Sequence, residues 1–186
     1  MIELTADTAY GIIEEMSKRR PNKTALICLG ERYSYSELKE MSLKFAASLQ
    51  ELGMKEGDRC MLHLNNLPQA VIAVLALQRI GAISFPVSPA YSAPDIKYLA
   101  NDSGAETIIC MDTNLRYTIE VLPETPLKRV VVTNMIDLSP RWKKLFAKGF
   151  DRLPHGKIPS MTDFFLFKEL LEKGRPSSLP PFRPDG

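Results

Sequence analysis

The sequence predicts an α/β fold, with a mostly parallel sheet, helices on both faces and an N-terminal β-hairpin. Three observations lead to this prediction. Short strand-like segments alternate with helical segments of roughly 10 to 15 residues, which is typical of βαβ units. The segments RCMLHL, TIICM and KRVVVT are the predicted strands between those helices, and this order favours a mostly parallel sheet covered on both faces. Start and stop signals flank most of the helices.

The N-terminal region predicts a helix, a hairpin and a second helix. The first helix begins at Asp7 or Thr8, and the segments TALICL and RYSY flank a Gly-Glu turn. Ser34 and Glu37 form a capping box, in which each side chain satisfies a free backbone N–H at the start of the second helix. Gly53 follows that helix where a left-handed C-terminal cap is expected.

The central region predicts a strand, a helix and another strand. Asn66 can cap the helix, and Pro68 lies in its first turn, where a missing N–H costs little. The helix sequence AVIAVLALQRI is apolar nearly all round, which indicates burial on more than one side. Gly81 ends it. Pro86 interrupts the strand AISFPV and therefore lies at a strand end or a sheet edge.

The last predicted α/β elements end at Thr133. Ser92 can cap the helix IKYLAND, TIICM is a strand, a helix runs from near Asn114 to Val121, and KRVVVT is the last clear strand. Beyond it, MTDFFLFKELLEK predicts one further helix. The proline-rich tail GRPSSLPPFRPDG is expected to be extended and poorly ordered.

The composition is that of an ordinary globular protein, with 45% hydrophobic and 25% charged residues. The longest apolar run, VIAVLAL, is far shorter than the ~20 residues of a membrane span, and the N-terminus lacks the basic region of a secretory signal. The three cysteines are widely spaced, and each falls in a predicted strand, which is typical of buried thiols in a reducing compartment. These features predict a cytoplasmic protein.

The residues form no catalytic or metal-binding motif, so we assign no catalytic residue and no metal ligand. The glycines fit neither a dinucleotide fingerprint nor a Walker loop, and the only two histidines, His63 and His155, are too few for a metal centre. We interpret His63 as a strand-end histidine with a backbone partner, with catalysis as the alternative. We interpret Cys60 as a packed thiol, with a nucleophile as the alternative.

Five blocks follow one another in a distinctive order: PNKTALI, YSYSELK, LGMKEGDRC, LNNLPQAVIAVLALQRIGAI and PVSPAY. Together they resemble the N-terminal portion of adenylate-forming (AMP-binding) acyl-CoA synthetases, over about Asp7 to Thr133. The later segment PHGKIPSMTDFFLFKELLEKGRPSSLPPFRPDG resembles the stretch before the phosphate loop of medium- and long-chain fatty-acyl-CoA synthetases.

The resemblance implies an incomplete part of a larger synthetase N-domain. Residues 1–133 would form its α/β subdomain, 134–175 a basic connecting segment plus one helix, and 176–186 a tail leading to the phosphate loop. The loop itself, T-[SG]-G-T-T-G-x-P-K in the family, is absent. The implied parent enzyme is an AMP-forming fatty-acid–CoA ligase that uses ATP, Mg²⁺ and coenzyme A. We expect this chain alone to be an inactive scaffold that binds none of these cofactors.

Three residues are candidates for coenzyme A binding through the resemblance. In acetyl-CoA-type members, the loop matching Ser88 to Tyr91 and an arginine matching Arg116 approach the nucleotide end of coenzyme A. Arginine suits phosphate recognition through its charge and fork geometry. The alternative for Arg116 is a solvated position on a helix face.

The basic segment 141–157 carries six lysine or arginine residues and one acid, and it is a candidate membrane contact. Its aromatic and basic residues interleave, as they do in a helix that lies on a membrane surface. The alternative is an ordinary solvated loop. The candidate residues are Trp142, Lys143, Lys144, Phe146 and Lys148.

The predicted partners are the remainder of the chain's own enzyme and a fatty-acid substrate, with no nucleic acid. We also expect self-association through exposed sheet edges, and peripheral contact with the inner face of the membrane. The alternative function is a naturally short module that binds acyl groups or lipid surfaces, or another partner, without turnover.

Overall fold

The computed structural model describes residues 6–138 and 164–182, and the chain divides into two compact units. The first unit comprises Met1–Asp58, Ala70–Ser84 and Leu170–Gly186, and the second unit comprises Arg59–Gln69 and Phe85–Glu169. The helices are α1 (Ala9–Arg19), α2 (Tyr35–Glu51), α3 (Pro68–Arg79), α4 (Ala93–Ser103), α5 (Leu115–Val121) and α6 (Phe167–Lys173). The strands are β1 (Thr24–Cys28), β2 (Glu31–Ser34), β3 (Arg59–His63), β4 (Ile83–Pro86), β5 (Thr107–Met111), β6 (Arg129–Thr133) and β7 (Phe164–Leu166).

Strands β1 and β2 form the predicted antiparallel hairpin. Because Cys28 pairs with Glu31, the turn consists of Leu29 and Gly30, one residue earlier than the predicted Gly-Glu turn. Both turn residues are left-handed, with φ of 50° at Leu29 and 80° at Gly30, which is the geometry of a two-residue turn that follows the strand twist. Glycine adopts that conformation freely, whereas Leu29 does so under strain.

The other strands form one sheet in the order β4-β3-β5-β6-β7. The pairs β3–β5, β5–β6 and β6–β7 are parallel, which confirms the predicted α/β architecture. Pro86 is the last residue of the edge strand β4, as predicted, and its missing N–H therefore costs no central ladder bond.

The core of the second unit lies between one face of the sheet and helices α4 and α5. Alternate residues of β3, β5 and β6 contribute to it because side chains along a strand point to opposite faces. The other residues of these strands, such as Ile109 and Val131, are also fully buried, so both faces of the sheet are covered. The buried residues of this core are Met61, Ala93, Ile96, Ala100, Ala105, Ile108, Cys110, Leu115, Val121, Leu127, Val130 and Val132.

The first unit depends on very close helix packing. Helix α1 packs on α2, and the hydroxyl of Ser48 in α2 donates a hydrogen bond of 2.7 Å to the carbonyl of Leu170 in α6. Gly174 follows α6 and lies against the backbone of α2. A Cβ at Gly174 would lie 2.0 Å from the carbonyl oxygen of Lys44, so only glycine fits there.

The capping signals read from the sequence set the helix boundaries. The Ser34 N–H donates to the Glu37 carboxylate at 2.8 Å, and the Glu37 N–H donates to the Ser34 hydroxyl at 3.2 Å. Ser92 begins α4 in the same way, and its N–H donates to the Asp95 carboxylate at 2.9 Å. Gly53 follows α2 with φ of 84°, which is the predicted left-handed cap.

One predicted element is partly wrong. The segment Phe164–Leu166 is not helical; it forms β7, which pairs in parallel with β6, and the helix begins only at Phe167. Three residues are too few to show a strand pattern, so only the pairing with β6 defines the strand. Helix α3 begins at Pro68, so the predicted helix is present, and the capping role of Asn66 stays a prediction.

The described part of the tail is packed, which corrects the expectation of an extended, poorly ordered tail. Pro176–Ser178 form a 3₁₀ turn, and the ring of Phe182 contacts Tyr10 within the first unit. Proline content disfavours regular structure, but a single aromatic residue can still pack a segment onto a helix.

Candidate functional site

The carboxyl ends of β4, β3 and β5 lie side by side in the sheet and form the candidate site. The chain passes from β3 to β4 on one side of β3 and then returns to β5 on its other side. In open α/β sheets, ligands bind outside the carboxyl ends of the strands at this reversal of strand order. The site is built by the end of β3, the loop after β4 and the turn after β5.

Asn114 connects these three segments. Its side-chain Nδ2 donates to the carbonyl of Pro89 in the loop after β4 at 3.1 Å. The same Nδ2 lies 3.1 Å from Nε2 of His63 at the end of β3. Since an amide nitrogen is a donor, Nε2 of His63 acts as the acceptor and the ring proton lies on Nδ1. One side chain thus holds a loop and a strand end together.

His63 is fully buried and serves as a structural partner of Asn114. Its Nδ1 has no hydrogen-bond partner of good geometry among the described residues. The nearby backbone of Ser88 and Pro89 still favours the charged ring and acts to raise the pKa of His63. Burial outweighs that effect and lowers the pKa of His63 below its ordinary value. The ring is therefore neutral at pH 7, and an acceptor at Nε2 is available to Asn114.

Ser88 and Tyr91, two of the predicted coenzyme A residues, lie in one tight turn. The Tyr91 N–H donates to the Ser88 carbonyl at 3.0 Å, and the Ala90 N–H donates to the Ser88 hydroxyl at 3.3 Å. Both Ser88 and Tyr91 are exposed. The turn follows Pro86, the last residue of β4, and it contains the Pro89 carbonyl that accepts a hydrogen bond from Asn114. The strand and this hydrogen bond together hold the turn in place.

Arg116, the third predicted residue, lies on α5 two residues after Asn114. It is exposed, and its guanidinium stacks on the ring of Tyr117, with the central carbon 4.5 Å from the ring centroid. Nη2 also donates to the Tyr117 hydroxyl at 2.5 Å. These contacts hold a positive charge on the same turn-helix segment that fixes the Ser88–Tyr91 loop.

The two buried cysteines carry protonated thiols. Burial raises the pKa of Cys110 to about 12 and raises that of Cys60 still further. A thiol of this kind is a poor nucleophile, because the thiolate is the reactive form. All three predicted strand cysteines lie in strands: Cys28 in β1, Cys60 in β3 and Cys110 in β5.

The predicted membrane-contact residues Trp142, Lys143, Lys144, Phe146 and Lys148 lie outside the described residues. Within residues 6–138 and 164–182, no helix is long and apolar enough to cross a membrane. In the same ranges, no group of three or more histidine, cysteine or acidic residues could hold a metal ion.

The role of Asn114 was missed by sequence analysis, which assigned it only to a helix start. Its partners Pro89 and His63 are 25 and 51 residues away in the chain. The signal that could have found it is its position, since it follows a strand whose carboxyl end adjoins that of β3.

A protein-family model described as "AMP-binding enzyme" matches residues 13–166. The chain belongs to the AMP-binding enzyme family. This membership confirms the resemblance inferred from the five sequence blocks.

The AMP-binding family includes curated relatives that are similar to this chain. A long-chain-fatty-acid–CoA ligase of Salmonella typhimurium is 36% identical over 128 residues, covering 68% of this chain and 23% of the relative. A ligase of the same description from Haemophilus influenzae is 34% identical over 176 residues, which cover 91% of this chain and 31% of that ligase. The matched part of this chain therefore spans 23% to 31% of the length of these two relatives.

Solved structures of CoA ligases share the fold of this chain. A long-chain-fatty-acid–CoA ligase from Archaeoglobus fulgidus superimposes with a TM-score of 0.71 at 18% identity. The superposition covers 97% of this chain and 35% of that structure. The fold described above is thus the fold of the matched portion of a larger ligase.

Proposed function

We propose that this chain is the N-terminal scaffold of an AMP-forming fatty-acid–CoA ligase. Such an enzyme joins a carboxylate to the AMP moiety of ATP as pyrophosphate leaves. It then transfers the acyl group from this adenylate to the thiol of coenzyme A, and AMP is released. The observation that carries the proposal is the family match over residues 13–166, together with long-chain-fatty-acid–CoA ligases as relatives at 34% and 36% identity.

The chain alone is proposed to be inactive. Binding the triphosphate of ATP requires several donors that converge on its oxygens, and the phosphate-loop motif of the family does not occur in these 186 residues. The residues present thus do not fit ATP with Mg²⁺, and we assign no chemical step to them.

For coenzyme A, the residues at the carboxyl ends of the strands fit in charge and position. The Ser88–Tyr91 turn is exposed and held by Asn114, and Arg116 supplies an exposed guanidinium on the same segment as Asn114. A guanidinium can bind phosphate oxygens through two parallel hydrogen bonds. We propose that Arg116 and this turn contact the phosphate-bearing nucleotide end of coenzyme A in the complete enzyme.

We also propose a location and partners for the complete enzyme. The buried free thiols fit a reducing compartment, so the cytoplasm is proposed, with peripheral membrane contact through the basic segment 141–157. The proposed partners are the remainder of the enzyme and the fatty acid. Exposed apolar side chains at the hairpin, Ile27 and Leu29, support the proposal that the chain alone self-associates.

A chimera tests the proposed function directly. Residues 6–182 replace the matching segment of the Haemophilus influenzae ligase, and fatty-acid-dependent ATP–pyrophosphate exchange is measured. An exchanging chimera supports the scaffold role, and a folded chimera that lacks exchange contradicts it. The 186-residue chain alone is the matched control, and it should release no pyrophosphate above background with ATP, Mg²⁺, fatty acid and coenzyme A.

A further inference from the structure

Arg79, the last residue of α3, is a buried cation between two aromatic rings. It is only 9% exposed, which is unusual for an arginine. Its guanidinium carbon lies 5.9 Å from the ring centroid of Tyr10 in α1 and 5.7 Å from that of Phe182 in the tail. Aromatic faces attract a cation, and the attraction strengthens when water is excluded.

The guanidinium of Arg79 binds a backbone carbonyl of the tail and no carboxylate among the described residues. Its Nη2 donates a hydrogen bond to the backbone carbonyl of Pro180. Among the described residues no acidic group forms an ion pair with it, and its buried Nε has no hydrogen-bond partner. A buried charge is costly unless its surroundings compensate it, and the compensation here comes from the two rings, the Tyr10 hydroxyl and the Pro180 carbonyl.

The two rings around Arg79 are held in place by contacts of their own. The rings of Tyr10 and Phe182 meet edge to face, with centroids 4.8 Å apart at an interplanar angle of 66°. The Tyr10 N–H donates to the side-chain oxygen of Gln78, the neighbour of Arg79, at 3.0 Å. Helix α1, the end of α3 and the tail therefore meet at one guanidinium within the first unit.

We propose that Arg79 is a positioning residue that fixes the tail at Pro180–Phe182 and so sets where the following segment of the enzyme begins. This inference rests on the proposed function, because the family resemblance places the phosphate loop shortly after this tail. A cation is suited to the task, since it binds a carbonyl and two rings at once, whereas an apolar residue could only fill the space.

Amide hydrogen exchange of the 186-residue chain tests the inference without any activity measurement. The reporters are the Ser178 and Leu179 amides, which donate within the tail turn to the carbonyls of Arg175 and Pro176. The substitution Arg79→Met keeps the apolar stem and removes the charge and donors, so both amides should exchange roughly tenfold faster, as expected for losing one charged hydrogen bond. Arg79→Lys retains a charge and should recover part of the protection.

The matched control is Arg59→Met. Arg59 also donates to a backbone carbonyl, that of Ser103, but it belongs to the second unit. This variant should leave exchange at Ser178 and Leu179 unchanged. Equal protection in the native chain and in Arg79→Met would overturn the inference. If Arg79→Met fails to fold, Phe182→Leu takes its place, because it removes one ring and should also accelerate exchange at both amides.

The chimera separates this inference from the proposed function. In an active chimera, Arg79→Met should raise the KM for ATP at least fivefold and leave the KM for fatty acid unchanged. An unchanged KM for ATP beside accelerated tail exchange would overturn the positioning role. An inactive chimera with native Arg79 would count against the proposed function, and the exchange measurement would still decide whether Arg79 holds the tail.

Discussion

The two units of this chain are stabilised in different ways. The second unit has an apolar core of strand and helix side chains, and the contact between His63 and Asn114 lies at the carboxyl ends of its strands. In the first unit, Gly174, which follows α6, lies against the backbone of α2, and Arg79 carries a buried charge. A side-chain core loses stability mainly when a side chain is truncated and leaves a cavity. A close backbone contact is instead disrupted when a side chain is added, and a buried charge when one of its partners is removed. Substitutions should therefore act differently in the two units.

The largest effect is expected from Ile108→Ala in the second unit. Ile108 is fully buried in the core, and truncating such a residue costs about 2–5 kcal/mol through lost burial and the cavity left behind. Urea denaturation measures this loss in the free energy of unfolding, and amide exchange identifies the unit that opens. Tyr98→Ala on α4 is the control, because Tyr98 is 68% exposed and its truncation should be nearly neutral. A cost below 1 kcal/mol for Ile108→Ala would contradict the assigned core.

Gly174→Ala should give the next largest effect, in the first unit. The added methyl group would meet the Lys44 carbonyl oxygen at 2.0 Å, so α2 and α6 must separate, at a cost of about 1–3 kcal/mol. The comparison variant is Gly57→Ala, whose Cβ meets nothing within 4 Å, and which tests backbone strain alone at φ of 79°. Amide exchange in α2 should accelerate in the Gly174 variant only. A tolerated Gly174→Ala would disprove the close backbone contact.

The capping boxes should behave alike in the two units, because they are local. Ser34→Ala and Ser92→Ala each remove the hydroxyl of an N-terminal cap, and each should cost about 1 kcal/mol. Thermal denaturation gives the two values, and the matching Ser→Gly variants are the reference, since glycine retains most of the capping preference. A twofold or larger difference between the units would show that packing, and not local capping, dominates at one site.

The smallest expected effect on stability comes from His63, and this effect depends on pH. Because the pKa of His63 is lowered by burial, the unfolded chain binds a proton at a higher pH than the folded chain does. Stability is therefore unaffected above the ordinary value of about 6.5, and it declines as pH falls below that value. His63→Gln keeps an acceptor for Asn114 and should remove this part of the decline, as measured by urea denaturation between pH 7 and 5. An identical decline in both proteins would contradict the buried neutral histidine.

Local signals predicted most of the fold because they act between near neighbours in the chain. The Ser34–Glu37 box, the left-handed Gly53 and the edge position of Pro86 each follow from a few adjacent residues. Strand β7 was missed because Phe164–Leu166 acquires its structure only by pairing with β6.

For the candidate site, the coenzyme A role of the three residues named from the sequence stays a prediction. Ser88, Tyr91 and Arg116 came from family resemblance, and the contact of Asn114 with Pro89 places their two segments together. The Asn114–His63 contact and the packing of Phe182 against Arg79 join residues 51 and 103 positions apart, and no local pattern in the sequence specifies them. Long-range polar contacts of this kind are visible only once the strands are in order.

Fatty-acid-dependent ATP–pyrophosphate exchange distinguishes a scaffold from a catalyst. It is measured side by side on the 186-residue chain and on the Haemophilus influenzae chimera that carries residues 6–182. A scaffold that lacks the phosphate loop predicts exchange by the chimera and none above background by the chain alone. Exchange by the chain alone would contradict the scaffold function, and so would the absence of exchange in a folded chimera.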